Sequence, residues 1–216
     1  MLETKIDVRK TALLIIDMEN DLVKAKREPL SAVTKMVESK GAIGNTARVI
    51  AAARRVGMPV IFINHIHRKD NADVAPTVTD EMLQGLAPLP SEAFVEGTTG
   101  VQVVDELKPA PEDHIVWKRR SNAFYNSDLE LILRSQGIDT VIITGVVTDG
   151  CIANTVRGAR ERDLHVIVLS DCCASRMPED DDYYIKKVFP IAGRVRTSNE
   201  IIAAIVVAET LAKARA

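Results

Sequence analysis

The stretch TVIITGVVTDGC, residues 140–151, decides the fold class of this chain. Val141–Thr144 is a short β-branched run and predicts a buried strand. A glycine-containing turn follows, and the residues from about Asp149 to Arg162 predict a helix that begins close to Cys151. A strand that leads through a tight turn into a helix is the first half of a parallel βαβ unit, so this stretch indicates an α/β fold.

The same pattern recurs along the chain. Further apolar runs predict strands at Ala12–Ile16, Val60–Ile63, His114–Trp117 and Val166–Leu169. Further helical patterns cover about Thr46–Arg55, Ser127–Gly137 with Ser127 as N-cap, and Asn199–Ala212. Alternating strands and helices favour parallel strands joined by right-handed crossovers, and hence one layered α/β domain over residues 1–216.

One long segment departs from this alternation. Residues from about Arg68 to Pro111 contain five of the nine prolines and show weak periodicity. A segment of this kind predicts an irregular loop that caps a site.

Composition and charge exclude several classes of protein. The net charge of −2 and the short basic cluster Lys118–Arg120 are too little for a nucleic-acid groove, so the cluster is interpreted as an anion site or a solvated surface. No apolar run reaches the roughly 18 residues that a membrane span needs. The charged stretch MLETKIDVRK lacks the apolar segment of a secretory signal. We therefore expect a cytoplasmic protein without nucleic-acid or membrane partners, whose three cysteines are thiols.

Reactive side chains follow the predicted strands, at the edge where open α/β sheets bind their ligands. Asp17 follows the first strand, His65 and His67 follow the second, Lys118 follows the third and Cys151 follows the fourth. An acid, a lysine and a thiol therefore meet at one edge of the sheet. This convergence predicts an active site with a cysteine nucleophile.

Each of these three residues has a catalytic and a structural interpretation. At a helix start, Cys151 meets unpaired amides and the positive end of the dipole, which favour the thiolate and can hold an oxyanion. The alternative is a buried apolar cysteine. Asp17 is either a turn residue or the general base for the thiol proton. Lys118 is either a surface lysine or the cation that stabilises the ionised forms of the other two.

Other side chains near this edge also have two interpretations. The spacing of His65 and His67 suits zinc, but only Asp70 and Asp73 lie near enough in sequence to complete a site, so pocket-lining histidines are preferred. Trp117 is interpreted as a core residue or, alternatively, as one wall of the pocket.

Two further sets of residues receive one interpretation each. Cys172 and Cys173 are adjacent in a strand, point to opposite faces and are expected in the core. Arg68, Arg119 and Arg120 follow strands two and three, and are candidates to receive a substrate carboxylate because arginine binds carboxylates through a planar fork.

Separate motifs in this order resemble the isochorismatase-like cysteine hydrolases. They are TALLIIDMENDL from Thr11 and VWKRRSNAFYNSDLELILRSQGIDTVIITGVVTDGCIANTVRGARERDLHVIVLSDCCAS from Val116. This superfamily includes nicotinamidases, N-carbamoylsarcosine amidohydrolases, ureidoacrylate and biuret hydrolases, and true isochorismatases. The resemblance covers about Thr11 to Ser175 and implies a three-layer α-β-α fold with a mostly parallel central sheet.

The resemblance also implies a role for individual residues. Asp17 is the acid/base, Lys118 the supporting cation and Cys151 the nucleophile. The cis peptide of the family maps to Val146–Val147, and the backbone amides of Val147 and Cys151 form the oxyanion hole. Asn20 and Phe124 fall in motifs of the family and are expected to line the pocket. Together with residues placed there by the predicted strand ends, the residues expected to bind the substrate are Asn20, His65, Arg68, Trp117, Arg120, Phe124 and Val146.

The implied activity is cleavage of a C–N amide or ureido bond through a thioester, with release of ammonia or an amine and without a cofactor or metal. The segment HIHRKDNADV resembles carbamoylsarcosine-type members, and it departs from the D-x-H metal motif of nicotinamidases. Cys151 argues against true isochorismatases, which typically lack the cysteine. A metal-dependent nicotinamidase and a non-catalytic binding protein remain alternatives. Because family members are commonly dimers or tetramers, we expect a homo-oligomer.

Overall fold

The computed structural model of the protein describes residues 4–28, 30–74 and 93–213. In these ranges a parallel sheet has the strand order β3-β2-β1-β4-β5-β6, and each neighbouring pair is parallel. The prediction of a mostly parallel central sheet is therefore confirmed. The strands are β1 (Thr11–Ile16), β2 (Val60–His65), β3 (His114–Lys118), β4 (Thr140–Val146), β5 (His165–Ala174) and β6 (Arg194–Arg196).

Helices cover both faces of this sheet. None of the described helices is both long enough and apolar enough to cross a membrane. They are α1 (Asn20–Val23), α2 (Leu30–Lys40), α3 (Ala42–Arg55), α4 (Leu129–Ser135), α5 (Ala153–Arg160), α6 (Pro178–Tyr183), α7 (Phe189–Ala192) and α8 (Ser198–Lys213), with a 3₁₀ turn at Asp105–Leu107 and π-helical turns at Thr148–Ile152 and Tyr184–Val188.

Strand β1 is buried on both faces and divides the core into two layers. Leu13 and Ile15 pack in the layer that contains residues of α2, α3 and α8. Leu14 and Ile16 pack in the layer that contains residues of α4 and α5. Each such side chain contributes about 1.5–3 kcal/mol by leaving water. The three-layer α-β-α architecture predicted from the sequence is confirmed.

The adjacent cysteines of β5 show the same division. Cys172 lies in the first layer and Cys173 in the second, and both are fully buried. Their predicted place in the core, on opposite faces of the strand, is confirmed.

Several elements differ from the sequence prediction. Strand β6 was not predicted, because three residues with two arginines carry no strand signal, and its residues are only half-buried. Helix α4 has Asp128 rather than Ser127 as its N-cap, and the Ser127 hydroxyl accepts a bond from the amide of Leu129 instead (3.3 Å). Of the predicted loop 68–111, residues 75–92 lie outside the described ranges.

The close contact between β1 and β4 depends on a glycine. Gly145 pairs with Ile16 and has φ of 122°, a conformation that L side chains rarely adopt. A Cβ at this position would overlap the carbonyl oxygen of Ile16. Glycine therefore allows the end of β4 to lie directly against the end of β1, where the candidate site begins.

Candidate active site

Asp17 occupies the first position after β1 in a left-handed conformation, with φ of 55°. Its amide donates to the carbonyl of Ile63 at the end of β2 (2.8 Å), which fixes the backbone where the strand ends. Its carboxyl group is buried, and Oδ2 lies 2.8 Å from Nζ of Lys118. The interpretation of Asp17 as a simple turn residue does not account for this buried ion pair.

Lys118 is the last residue of β3 and is fully buried, so it is not a surface lysine. Its Nζ donates to Sγ of Cys151 (3.4 Å) and lies 3.3 Å from Nδ1 of His65. The Cys151 thiol also interacts with the carboxyl group of Asp17. The structure therefore brings together the acid, the lysine and the thiol that the sequence placed at one edge.

Cys151 lies in an elbow, the π-helical turn Thr148–Ile152 that joins β4 to α5. The peptide bond between Val146 and Val147 at its start is cis, in agreement with the resemblance. The carbonyl of Val147 accepts bonds from the amides of Gly150 (3.0 Å) and Ile152 (3.2 Å). These bonds fix the backbone on both sides of the nucleophile candidate.

The electrostatics of the site differ from the sequence expectation for the thiol. Burial, reinforced by Asp17 and opposed by Lys118, raises the pKa of Cys151 to about 12. At rest this site therefore holds a thiol rather than the thiolate expected from a helix start, because the Cys151 side chain lies beside the Asp17 carboxyl group in a partly buried π-turn. A base must remove this proton during any reaction at sulfur.

Asp17 has the properties of such a base. Burial raises the pKa of its carboxyl group, and the Lys118 ammonium opposes this effect. For Lys118, burial lowers the pKa, but Asp17 and Cys151 outweigh it and the net shift is upward, so Lys118 keeps its proton. A fixed cation beside a carboxylate of raised basicity is typical of acid/base sites.

Glu19 is a member of the site that the sequence analysis missed. It is fully buried two residues after Asp17, and neither carboxyl oxygen has a hydrogen bond of normal geometry in the described structure. Burial and then Asp17 raise its pKa well above the ordinary value, while Lys118 opposes them. Glu19 therefore holds its proton more tightly than an ordinary glutamate does. Its position inside the motif DMEND was the available signal.

The two histidines form a hydrogen-bonded pair rather than two solvated side chains. Nε2 of His65 lies 3.0 Å from Nε2 of His67. Burial, followed by Lys118, lowers the pKa of His65 well below its usual value, and burial also lowers that of His67. Because the ammonium of Lys118 can only donate, Nδ1 of His65 accepts and its Nε2 carries the hydrogen toward His67.

This arrangement does not fit a metal site. Nδ1 of His65 lies against the Lys118 ammonium, and its other ring nitrogen, Nε2, is hydrogen-bonded to His67. Within the described ranges, no group of three or more His, Cys, Asp or Glu side chains is placed to hold a metal ion.

Several predicted substrate-binding residues already have protein partners. The side-chain amide of Asn20 donates to the carbonyls of Thr99 (3.0 Å) and Gln102 (3.1 Å). Phe124 is buried beneath the guanidinium of Arg162, which lies 4.7 Å from the ring centroid. Asn20 thus holds a neighbouring loop, and the contacts of Phe124 favour a packing role.

Trp117 and Val146 lie in contrasting places. The core interpretation of Trp117 is wrong, because the residue is 43% exposed on β3, the strand at one edge of the described sheet. Val146 is fully buried at the end of β4.

The arginine candidates also differ in how they are paired. Arg68 makes a two-pronged contact with Asp70 (3.0 and 2.8 Å), and Arg119 pairs with Asp73 (2.7 Å). The bonds of Arg120 to the described residues go to backbone carbonyls, those of Asp73 (3.0 Å) and Arg119 (2.5 Å). Arg120 is therefore the better candidate of the three for a substrate carboxylate.

Comparison with known proteins identifies the family. Residues 11–200 match the isochorismatase domain. The chain belongs to the isochorismatase family. One relative is a probable inactive nicotinamidase from Arabidopsis thaliana, 33% identical over 174 residues that cover 79% of this chain and 84% of the relative. Another is the ureidoacrylate amidohydrolase of Variovorax paradoxus (strain S110), 29% identical over 169 residues that cover 74% of this chain and 67% of the relative.

Solved structures of the family have the same fold. The crystal structure of a cysteine hydrolase from Pseudomonas syringae pv. phaseolicola 1448A superposes with a TM-score of 0.80 and is 26% identical, covering 95% of this chain and 97% of that one. The isochorismatase-like fold expected from the sequence motifs is confirmed.

Proposed function

We propose that this chain is a hydrolase that cuts a C–N bond of a small-molecule amide or ureide through a thioester on Cys151. One observation carries the proposal: Nζ of Lys118 lies 2.8 Å from Oδ2 of Asp17 and 3.4 Å from Sγ of Cys151, where Asp17 and Lys118 are fully buried and Cys151 is partly buried. A nucleophile, a base and a fixed cation are the parts that acyl transfer to a thiol requires. Membership of a family with named amidohydrolases supports the same reaction class.

The reaction begins with the protonated thiol. Asp17 takes the proton from Sγ as the sulfur attacks the carbonyl carbon, and the C=O electrons move onto oxygen. The backbone amides of Val147 and Cys151 stabilise this oxyanion. When the carbonyl re-forms, the C–N bond breaks and Asp17 gives its proton to the leaving nitrogen, so that ammonia or an amine departs. Lys118 stabilises negative charge on Asp17 and on sulfur throughout.

The second half regenerates the enzyme. A water molecule gives a proton to Asp17 as its oxygen attacks the thioester carbon. The C–S bond then breaks and the sulfur recovers the proton, which leaves an acid product or, from a ureide, a carbamic acid. Asp17 thus acts as base and acid in both halves of the cycle.

A relative and the residues around the site support one class of substrate. The ureidoacrylate amidohydrolase relative and the segment HIHRKDNADV both support a ureido or carbamoyl group. Arg120 is the candidate for a carboxylate on the same molecule. We therefore expect ureido acids to be better substrates than simple aromatic amides.

A panel of small amides tests this proposal. Ammonia release is measured from N-carbamoylsarcosine, ureidoacrylate, biuret, maleamate and nicotinamide, each with and without a metal chelator. We expect release from at least one ureido compound, at a rate that the chelator does not change. Chelator-sensitive release from nicotinamide alone would instead support a metal-dependent nicotinamidase. Silence across the panel would contradict the expected substrate class and favour a non-catalytic family member.

A further inference from the structure

The elbow that holds Cys151 is attached to two distant helices through a buried polar chain. The hydroxyl of Thr148, the first residue of the elbow, donates to Oδ1 of Asp181 on α6 (2.6 Å). The other oxygen of Asp181 forms an ion pair with Lys40 at the end of α2. Thr148 is fully buried, and the side chains of Asp181 and Lys40 are 7% and 21% exposed. We call these three residues the elbow clamp.

The elbow clamp lies where little water can reach it, so its polar contacts are screened less than those of a surface pair. Lys40 places a positive charge directly against the carboxyl group of Asp181. A charged acceptor makes a shorter and stronger hydrogen bond to a hydroxyl than a neutral acceptor does. The clamp therefore restrains Thr148 by a charge-assisted bond to Asp181, and Asp181 is in turn paired with Lys40, 141 residues away in the sequence.

The position of Thr148 is critical for the chemistry. It directly follows Val147, whose amide is one proposed oxyanion donor, and it begins the turn that carries Cys151. Oxyanion donors act only when they lie close to 3 Å from the developing charge, and a shift of about 1 Å costs on the order of a hundredfold in rate. Nothing in the reaction steps requires Asp181 or Lys40 to touch the substrate.

We propose that Lys40 and Asp181 are positioning residues that act through Thr148 to hold the oxyanion donor and the nucleophile at the distances that the reaction requires. The proposal rests on the proposed function, because it assigns these residues to the same amide hydrolysis. The clamp sets the rate of the chemical step and leaves substrate affinity unchanged, since its residues are buried or largely buried and none of them is a proposed substrate-binding residue.

Paired substitutions at Thr148 test the proposal. Thr148→Val keeps the shape and removes the hydroxyl, whereas Thr148→Ser keeps the hydroxyl. With the best substrate of the panel, we expect Thr148→Val to lower kcat by about ten- to a hundredfold with KM within about twofold of wild type. Thr148→Ser should retain most of the wild-type kcat. Equal losses in both variants, or no loss in a folded Thr148→Val, would overturn the proposal.

Substitution of Lys40 gives a second test, which leaves the residues of the elbow unchanged. Lys40→Met should lower kcat in the same direction as Thr148→Val, and the two losses should be less than additive because both break one chain. Lys35→Met is the matched control, since Lys35 lies on the same helix and is 72% exposed beside Glu28. A Lys40→Met enzyme with the kcat of Lys35→Met would overturn the role of the ion pair.

A substrate-independent measurement separates this proposal from the proposed function. The rate of alkylation of Cys151 by iodoacetamide, followed on the Cys151 peptide by mass spectrometry, reports on the thiol without amide turnover. We expect Thr148→Val and Lys40→Met to change this rate by at least about threefold relative to wild type and Lys35→Met. Unchanged alkylation together with unchanged protection of the elbow amides from hydrogen exchange would overturn the clamp, whatever the panel shows.

Discussion

The ammonium of Lys118 is the central charge of the site. It lies 2.8 Å from Asp17, 3.4 Å from Cys151 and 3.3 Å from His65, and it also interacts with Glu19. One cation thus faces two carboxyl groups and a thiol within a buried space. Because each further negative charge in this space is costly, the pKa of Glu19 and that of Cys151 lie above their ordinary values.

The raised pKa of Glu19 predicts how the free energy of unfolding depends on pH. The unfolded chain releases this proton near the ordinary pKa of 4.5, whereas the folded protein holds it to a higher pH. Unfolding therefore releases a proton in that window, and the free energy of unfolding falls as pH rises, by up to about 1.4 kcal/mol per pH unit. In Glu19→Gln this decrease should be absent. Chemical denaturation of both proteins between pH 4 and pH 8 measures the difference.

A matched control separates this effect from the effect of replacing another glutamate. Glu28 is exposed, and hydrogen bonds from Ser31 and Lys35 lower its pKa, so Glu28→Gln should remove a small stabilisation that appears above pH 4.5. The two substitutions are thus expected to change the pH dependence of the free energy of unfolding in opposite directions. Parallel stability curves for wild type and Glu19→Gln would show that Glu19 is ionised in the folded protein.

The main residues of the site could be predicted because they occupy strand ends. Asp17, Lys118 and Cys151 lie at or after the ends of three strands of one parallel sheet, and such positions meet at one edge whatever conformations the loops adopt. Glu19 could not be assigned in this way, because its burial depends on how the chain turns after β1. The partners of Arg68 and Asn20 could not be predicted either, because they depend on loop conformations.

At the scale of the elements, the site depends on how β1 and β4 meet. The left-handed turn at Asp17 and the positive φ of Gly145 lie on adjacent strand ends, and Gly145 pairs directly with Ile16. The elbow starts at Thr148, three residues after Gly145. Any displacement of β4 at this point moves Cys151 relative to Asp17.

Substitution of this glycine tests the close packing of the two strands. Gly145→Ala should destabilise the protein by about 1–3 kcal/mol or more, because alanine is strained at this φ and its methyl group overlaps the backbone of Ile16. Gly44→Ala is the control: Gly44 lies inside α3 with no atom near its would-be Cβ, so alanine should stabilise by up to about 1 kcal/mol. Urea denaturation measures both. Equal stability of the two variants would contradict this description of the β1–β4 contact.

Elements with strong periodicity could be predicted, and short or polar ones could not. The buried runs that became β1, β2, β4 and β5 carry a clear apolar signal. Strand β6 has only three residues and two arginines, so it forms because β5 offers an open edge. Helix α6, which carries Asp181, consists mainly of acidic residues and gives no apolar pattern.

At the scale of the whole molecule, the architecture explains why a few strand ends suffice to build the site. The two apolar layers on either side of β1 fix the sheet, and the parallel order β3-β2-β1-β4 delivers Lys118, His65, Asp17 and Cys151 side by side. The layered α/β fold could be predicted because alternation of strands and helices has few packed solutions. The strand order and the contacts of Asp181 with Thr148 and Lys40 depend on tertiary structure that no local pattern encodes.

The measurement that tests the central claim most directly is ammonia release by Cys151→Ala beside Cys172→Ala. Both changes remove one thiol, but Cys172 is a core residue outside the site, and burial raises its pKa, so it serves as the matched control. With the best substrate of the panel, we expect Cys151→Ala to lose at least about a thousandfold in kcat, while Cys172→Ala stays close to wild type. Wild-type ammonia release by a folded Cys151→Ala would contradict the thioester mechanism.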